Sequence, residues 1–181
     1  MEGIVKMSNK SKIDMRSLIG TEKLQYAFDN FAGIVTQVEY LRDNFELIKN
    51  YPQGLLMLAF TGYYVSLGSL IKNRQGMDYT KIFELWEIAL DKNKIYCKLN
   101  EGLKHNITVL KEWEESLEYE MKHVITIRDK YFAHIDFVDK DFLINSFILK
   151  DVTKQNDLIK FFRCLIETSN DYFGSICREF N

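Results

Sequence analysis

Apolar side chains recur along most of the chain at the three- and four-residue spacing of a helix that buries one face. Polar, glycine- or proline-containing segments separate these apolar stretches. The predicted helices cover Thr21–Asn50, Pro52–Asn73, Thr80–Lys92, Leu117–Ile135 and a final stretch that begins at Asp151 or Thr153. The inner side predicted for the third helix includes Trp86 and Ala89, and that of the last consists of Leu158, Phe161, Phe162, Leu165, Ile166, Tyr172, Phe173 and Ile176. One proline and nine glycines are few for a β-sheet protein, which needs frequent turns. The pattern therefore predicts an all-α protein, an up-and-down bundle of about five helices.

The segments between these helices are less regular. Asn73–Asp78 contains Gly76 and is expected to be a loop, and Asp91–His105 is expected to be irregular or weakly helical. The period of Phe142–Leu149 fits both an extended arm and a short helix. A break is expected near Glu115–Ser116, just before the fourth predicted helix.

The second predicted helix has no charged residue between Tyr51 and Ile71. That length is at the threshold for crossing a bilayer, so a membrane span is one interpretation. Polar and small residues such as Gln53, Gly62 and Ser66 dilute its hydrophobicity, and the other helices have apolar faces that need a partner. We therefore favour a buried core helix and expect no membrane association.

Length and composition are those of an ordinary globular domain. The chain has 181 residues, of which 46% are hydrophobic and 28% charged, and its net charge is −2. We expect residues 21–181 to form a single domain and residues 1–20 to form a flexible tail without the apolar core of a signal peptide. Cys97, Cys164 and Cys177 fit neither a disulfide framework nor a zinc site, so free thiols in the cytoplasm are expected.

Arg128 occupies a position where an apolar side chain is expected. The stretch from Leu117 to Ile135 is apolar on nearly every side, which predicts a central helix. Its seam has steps of four and three residues and consists of Leu117, Met121, Val124, Arg128, Tyr131 and Ile135. Removing a guanidinium from water is costly unless it is paired. Arg128 therefore needs a counter-charge, hydrogen-bond acceptors or a ligand-filled cleft.

The string RDKYFAHID, which runs from Arg128 to Asp136, resembles the signature of the HEPN superfamily. That signature is an arginine, a polar residue directly after it and a histidine a few residues later. Arg128, Asp129 and His134 match it, with five residues between the arginine and the histidine. The closing Ala133 to Asp136 is most similar to the abortive-infection, AbiU-type branch. HEPN domains are small, all-helical and widespread in prokaryotic defence systems, so the resemblance implies an all-helical fold and a defence or toxin–antitoxin role.

The resemblance also implies cleavage of RNA without a metal or another cofactor. Arg128 and His134 would be catalytic, and Asp129 would orient one of them. Histidine titrates near neutrality and can take a proton from a ribose 2′-hydroxyl or give one to the departing 5′-oxygen. Arginine offers a positive fork to the phosphate oxygens. The products would be a 2′,3′-cyclic phosphate and a 5′-hydroxyl.

Three further residues are candidates for substrate binding. Lys130 adds positive charge, Tyr131 can stack on a base or pack in the core, and Asp136 either orients a catalytic group or ends the helix. Lys122 and Lys140 either contribute to a positive rim or belong to a solvated charged face. His105 and His123 are expected to be surface or core residues, and no cluster of metal ligands appears.

A single copy of the motif makes a poor catalytic pair. On an ideal α-helix, residues six apart are rotated by about 120° and separated by about 9 Å. HEPN domains typically solve this with a homodimer whose two motifs face each other across the two-fold axis, and the resemblance implies the same here. A partner protein or antitoxin is a further expectation. HEPN toxins silenced by a nucleotidyltransferase usually carry His-x-Tyr, whereas Asp136 occupies the third position here, so nucleotide transfer onto that tyrosine is not supported.

The same residues also have a structural interpretation. Arg128 would form a core salt bridge with Asp129 or with a glutamate of another helix, and His134 would cap the end of the helix. The chain would then be a non-catalytic helical module that binds a nucleotide or a partner protein. Loss of RNA cleavage in variants of Arg128 and His134 would distinguish the nuclease from this alternative.

Overall fold

The computed structural model describes residues 22–72, 77–92, 94, 97–132 and 152–179. These residues form seven α-helices, one π-helical turn and no β-strand, so the predicted all-α class is confirmed. The α-helices are α1 (Glu22–Asp43), α2 (Phe45–Ile48), α3 (Gln53–Ile71), α4 (Tyr79–Lys92), α5 (Cys97–Ser116), α6 (Glu118–Ile127) and α7 (Val152–Glu179). The π-helical turn, Arg128–Phe132, directly follows α6.

The helix count differs from the prediction in two places. The first predicted helix is divided at Asn44, so that α2 forms a separate short turn. Of the two expectations for Asp91–His105, irregular or weakly helical, the helical one holds from Cys97 onward, because that part belongs to α5. The expected break before Leu117 is confirmed, since α5 ends at Ser116. The predicted tail, residues 1–20, and the ambiguous Phe142–Leu149 lie outside the described residues.

The core is built around α7. Its predicted inner face is buried at every position, namely Leu158, Phe161, Phe162, Leu165, Ile166, Tyr172, Phe173 and Ile176. This face contacts α1, α4, α5 and α6. Phe161 lies in an aromatic cluster, with ring centroids 5.9 Å from Tyr79, 5.8 Å from Trp113 and 5.6 Å from Phe162. The final helix thus contributes an unbroken inner face to the core.

Polar contacts fix the neighbours of α7 at specific positions. The buried Trp86 Nε1 donates a hydrogen bond to Ser169 Oγ at 2.9 Å, and Tyr172 Oη donates to Asn100 Oδ1 at 2.7 Å. Because a buried polar group is costly unless it is hydrogen-bonded, these pairs disfavour other registers of α4 and α5 against α7. Arg163 on α7 makes a two-pronged ion pair with Glu39 on α1, and its Nε lies 3.0 Å from Oε1.

The helix α6 buries its seam but also has a solvent face. Leu117, Met121 and Val124 are buried, as predicted. Glu118, Tyr119, Lys122 and Thr126 are exposed, so the expectation of a helix that is apolar on nearly every side is wrong. The ring of Tyr119 is 70% exposed on this solvent face. The seam leads directly to Arg128.

The uncharged helix α3 is buried on one face only. Its buried face includes Leu56, Phe60, Leu67 and Leu70. Within the described part of the chain, α3 is the one helix long and apolar enough to cross a membrane. It contacts α1, α4, α6 and the π-helical turn.

Ionisation of Tyr64 on α3 is expected to lower the stability of the fold at alkaline pH. Burial raises the pKa of Tyr64 to about 12 from the ordinary value of 10.0. Because the folded-state pKa is the higher one, this contribution to stability is complete below about pH 10 and is lost as the pH rises to about 12. We expect Tyr64→Phe, which cannot ionise, to weaken the fall of the unfolding free energy over this range in urea titrations.

Part of the alkaline slope is expected to persist in that variant, since burial also raises the pKa values of Tyr63 and Tyr79. An unchanged slope in Tyr64→Phe would contradict the prediction.

Candidate functional site at the Arg128 turn

The seam of α6 carries Arg128 against the C-terminal end of α3. The guanidinium donates three hydrogen bonds: Nε to Asp129 Oδ1 at 2.8 Å, and Nη1 to the backbone oxygens of Gly68 at 3.1 Å and Lys72 at 3.4 Å. The Gly68 oxygen also accepts a hydrogen bond from the Lys72 backbone N–H at 2.9 Å, and the C-terminal end of a helix carries partial negative charge. Arg128 therefore caps α3. These four residues, Arg128, Asp129, Gly68 and Lys72, are called the Arg128 site below.

Gly68 leaves the space that the Arg128 side chain occupies. A Cβ atom built on Gly68 would lie 2.6 Å from Arg128 Cδ and 3.2 Å from its Nη1. Real Cβ contacts are not that short, so any other residue at position 68 would displace the arginine. By contrast, a Cβ on Gly33 or Gly62 would meet nothing within 4 Å. Glycine is therefore needed at position 68, because the Arg128 side chain lies directly against the backbone of α3 there.

The arginine is held but not fully enclosed. Its side chain is 20% exposed, and that of Asp129 is 57% exposed. In the part of the chain that the structure describes, Nη2 has no hydrogen-bond acceptor, while Nε and Nη1 are both engaged. The protein holds Nε and Nη1, and the N–H groups of Nη2 can donate hydrogen bonds to an anionic ligand.

The surroundings of the site contain both charge signs. Lys130 is exposed next to Asp129. Six residues before Arg128, Lys122 pairs with Glu118 at 2.6 Å, so its charge is partly balanced. An exposed surface pair of this kind is weak and screened by salt. The positive charge that a phosphate would meet here comes from Lys130 and from Arg128, whose charge Asp129 partly balances.

The backbone at the motif is not α-helical. Arg128–Phe132 forms a π-helical turn, a rare conformation that occurs frequently at functional sites. A π-helical turn contains more residues than an α-helical one, so the rotation per residue of an ideal α-helix does not apply between positions 128 and 132.

The structure brings together only part of the predicted site. Arg128 and Asp129 are in direct contact, and Lys130 is exposed beside them. The backbone of Tyr131 lies in the π-helical turn, but its side chain is outside the described part. His134 and Asp136 also lie outside the described residues, and so does Lys140.

Sequence reasoning missed Gly68 and Lys72, which hold Arg128 through their backbone oxygens. Gly68 appeared in the sequence only as a residue that dilutes the hydrophobicity of the second helix. It lies 60 positions from Arg128, and no local spacing connects the two.

Other reactive groups do not gather at this site. His105 is exposed, and the His123 ring lies parallel to Tyr119 with centroids 6.5 Å apart. Among the described residues, no group of three histidine, cysteine or acidic side chains is placed to hold a metal ion. Cys97 and Cys164 are free thiols, and burial raises the pKa of Cys164, which disfavours the reactive thiolate.

Fold and site together define an all-α helical bundle in which an arginine at a π-helical turn caps a neighbouring helix. Comparison of the chain with protein-family models, curated proteins and solved structures finds no match in any of the three. The resemblance to HEPN domains therefore rests on the motif and on the helical fold class.

Proposed function

We propose that the protein is a metal-independent endoribonuclease of the HEPN type, acting in a defence or toxin–antitoxin system. The observation that carries this proposal is the state of Arg128. It is fixed at one edge by Asp129 and the end of α3, its Nη2 meets no acceptor among the described residues, and it begins a π-helical turn within the HEPN-like string. Because the protein already fixes this guanidinium, binding a phosphate costs little further side-chain entropy.

The proposed reaction is transfer of the phosphate to the neighbouring 2′-hydroxyl. A histidine at position 134 takes the 2′-hydroxyl proton as the 2′-oxygen bonds to phosphorus, and a second copy of this histidine protonates the departing 5′-oxygen as its bond to phosphorus breaks. Arg128 stabilises the charge that develops on the non-bridging oxygens. Asp129 orients Arg128 through the 2.8 Å hydrogen bond to Nε. Lys130, Tyr131 and Asp136 are proposed to help hold the RNA.

Two histidines and two arginines require two copies of the chain in this proposal. An isologous dimer presents the same residues from both protomers across its two-fold axis. The proposed active site is therefore a cleft shared between protomers. Because the net charge is −2, RNA must be attracted by this local cationic cleft rather than by the whole surface.

Substitution of the motif residues tests the proposal. We expect Arg128→Ala and His134→Ala each to lower cleavage of total cellular RNA and of tRNA by at least about 100-fold, because each removes a group needed in the transition state. The matched control is Arg178→Ala on the exposed end of α7. Unchanged helical circular dichroism would show that the variants are folded. Wild-type rates in both motif variants would rule out the proposed site.

One structural observation favours a second candidate function. Arg128 already has hydrogen-bond partners in Asp129, Gly68 and Lys72, as expected for a purely structural arginine. The chain would then be a non-catalytic module that binds a nucleotide or a partner protein. Saturable binding of a nucleotide or protein, combined with no cleavage of any RNA tested, would select this alternative.

A further inference from the structure

A cavity of about 190 Å³ lies between the N-terminal half of α5 and the C-terminal half of α7. Its volume exceeds the roughly 150 Å³ that accommodates a benzene-sized molecule. Both helices contribute polar side chains to it, namely Lys98 and Asn106 on α5 and Thr168, Asp171 and Ser175 on α7. None of the described residues that line it belongs to the Arg128 site. The space is called the α5–α7 cavity below.

The two helices run antiparallel along the cavity. Near its middle, Tyr172 Oη donates a hydrogen bond to Asn100 Oδ1 at 2.7 Å. Further along α5, the ring centroids of Trp113 and Phe161 are 5.8 Å apart. Residue numbers therefore fall on α7 as they rise on α5.

This direction gives the cavity two distinct ends. The register places Ser175 level with Lys98 at one end and Thr168 level with Asn106 at the other. Because an α-helix rises about 1.5 Å per residue, these ends are about 12 Å apart along α5. Asp171 lies between them, one helical turn from Ser175.

The cavity carries charges of both signs on opposite helices. Lys98 on α5 and Asp171 on α7 are both exposed at its rim. Within the part of the chain that the structure describes, neither side chain has an ion-pair or hydrogen-bond partner. Arg178 Nη2 donates a hydrogen bond to Ser175 Oγ at 3.2 Å, so a second cation lies beside the Lys98 end. The cavity thus has a cationic end and, one turn further along α7, an anionic side chain.

The floor of the cavity is apolar and has an open position. Leu99, Leu103 and Tyr172 line it, and the Tyr172 hydroxyl is already engaged by Asn100. A Cβ built on Gly102 would meet nothing within 4 Å, so the cavity reaches the helix backbone there. Such a floor suits the hydrocarbon part of a small molecule.

We propose that the α5–α7 cavity binds a free α-amino acid with a polar, uncharged side chain, such as glutamine. A purely anionic ligand would be repelled by the Asp171 carboxylate, and a purely cationic ligand by the Lys98 ammonium group. A zwitterion satisfies both groups at once. This proposal does not depend on RNA cleavage at the Arg128 site.

Each part of the amino acid has a matching part of the cavity. The α-carboxylate pairs with Lys98 and accepts a hydrogen bond from the Ser175 hydroxyl. The α-ammonium group donates to the Asp171 carboxylate. The aliphatic stem lies on the apolar floor. The terminal amide, which both donates and accepts hydrogen bonds, meets Asn106 and Thr168, whose side chains also do both.

Ligands that lack one charged group each test the ligand class. Backbone amide NMR shifts of the full chain are followed during titration with L-glutamine, with glutaramate, which lacks the ammonium group, and with the amide of γ-aminobutyric acid, which lacks the carboxylate. We expect saturable shifts with glutamine and at least about 10-fold weaker binding of each analogue, because each loses a charge-assisted hydrogen bond. No saturable binding of glutamine, or equal binding of either analogue, would overturn the proposal.

The neutral end of the cavity is tested in the same way. L-Norvaline is glutamine with a methyl group in place of the terminal amide. We expect it to bind at least about 5-fold more weakly, since Asn106 and Thr168 lose their partner. Binding as tight as that of glutamine would overturn the preference for a polar side chain.

Gly102→Leu tests the location. The leucine side chain would fill the floor of the cavity, while its Cβ meets nothing within 4 Å. We expect saturable glutamine binding to disappear and the urea midpoint to stay unchanged or rise, since leucine favours a helix over glycine. The matched control is Gly33→Leu on the exposed side of α1, which should bind glutamine as the wild type does. Wild-type binding by Gly102→Leu would overturn the proposal.

Removal of single charges assigns the two contacts. In Lys98→Gln, the preference for glutamine over the carboxylate-free analogue should shrink by at least about 3-fold, and Asp171→Asn should do the same for the ammonium-free analogue. The control Lys104→Gln, at an exposed position of α5 outside the cavity lining, should keep both preferences. If both cavity variants weakened all three ligands equally, the assigned contacts would be wrong.

The variant Arg128→Ala separates this site from the nuclease. It is expected to bind glutamine as the wild type does, because the cavity and the Arg128 site share no residue among those described. Glutamine binding by a chain that cleaves no RNA would keep the cavity and remove support from the proposed nuclease. RNA cleavage by a chain that binds no glutamine would do the reverse.

Discussion

Gly68→Ala is expected to lower RNA cleavage by about 100-fold although residue 68 carries no functional side chain. The added Cβ would lie 2.6 Å from Arg128 Cδ, so the arginine must move. The movement breaks its hydrogen bonds to the Gly68 and Lys72 carbonyls. A displacement of about 1 Å in a catalytic group can cost on the order of 100-fold in rate. Cleavage rates of wild type and variant under identical conditions measure the effect.

The same substitution should also lower stability. Alanine gains up to about 1 kcal/mol of helix propensity over glycine. Loss of a hydrogen bond from a charged donor costs about 1.5–3 kcal/mol, and two such bonds are lost, so the net effect after the gain in helix propensity is destabilising by about 2–5 kcal/mol. Gly33→Ala on the exposed side of α1 is the matched control, because its Cβ meets nothing within 4 Å, and it should be neutral or stabilising. Equal stability and cleavage in both variants would contradict the role assigned to Gly68.

Phe161→Ala is expected to have the largest effect on stability. The side chain is fully buried in α7 and contacts the rings of Tyr79, Trp113 and Phe162, so it joins helices α4, α5 and α7. Truncating a buried phenylalanine typically costs about 3–5 kcal/mol, from lost burial and from the cavity left behind. Domains are stable by only about 5–15 kcal/mol. Urea unfolding should therefore show a much lower midpoint, or no folded state.

Tyr40→Ala is the control for this prediction. Tyr40 is 66% exposed on α1, so its removal should change the unfolding free energy by no more than about 0.5 kcal/mol. If Phe161→Ala and Tyr40→Ala unfolded at the same urea concentration, α7 would not be the centre of the core.

The helices that could be predicted are those in which the spacing of apolar residues shows by itself which face is buried. The inner face of α7 is predicted at every position, because the apolar residues from Leu158 to Ile176 recur at the spacing of a helix that buries one face. The second half of α4 behaved in the same way, with Trp86 and Ala89 buried. The predicted seam of α6 was also correct as far as Arg128.

The part that could not be predicted depends on contacts between distant segments. The N-terminal half of α5 has few buried apolar residues, chiefly Leu103. The spacing of its apolar residues therefore does not predict a helix there. The proximity of Gly68 to Arg128 arises from how α3 and α6 cross. The π-helical turn at Arg128–Phe132 likewise had no signal in the sequence beyond the motif itself.

The chemistry of RNA products tests the central proposal most directly. Purified wild-type protein and His134→Ala are incubated with total RNA and with tRNA in EDTA, and both ends of each cut are mapped. The proposal predicts cuts by the wild type alone, leaving 2′,3′-cyclic phosphate and 5′-hydroxyl ends. Cleavage that EDTA abolishes, cuts with 3′-hydroxyl ends, or equal cleavage by His134→Ala would contradict it.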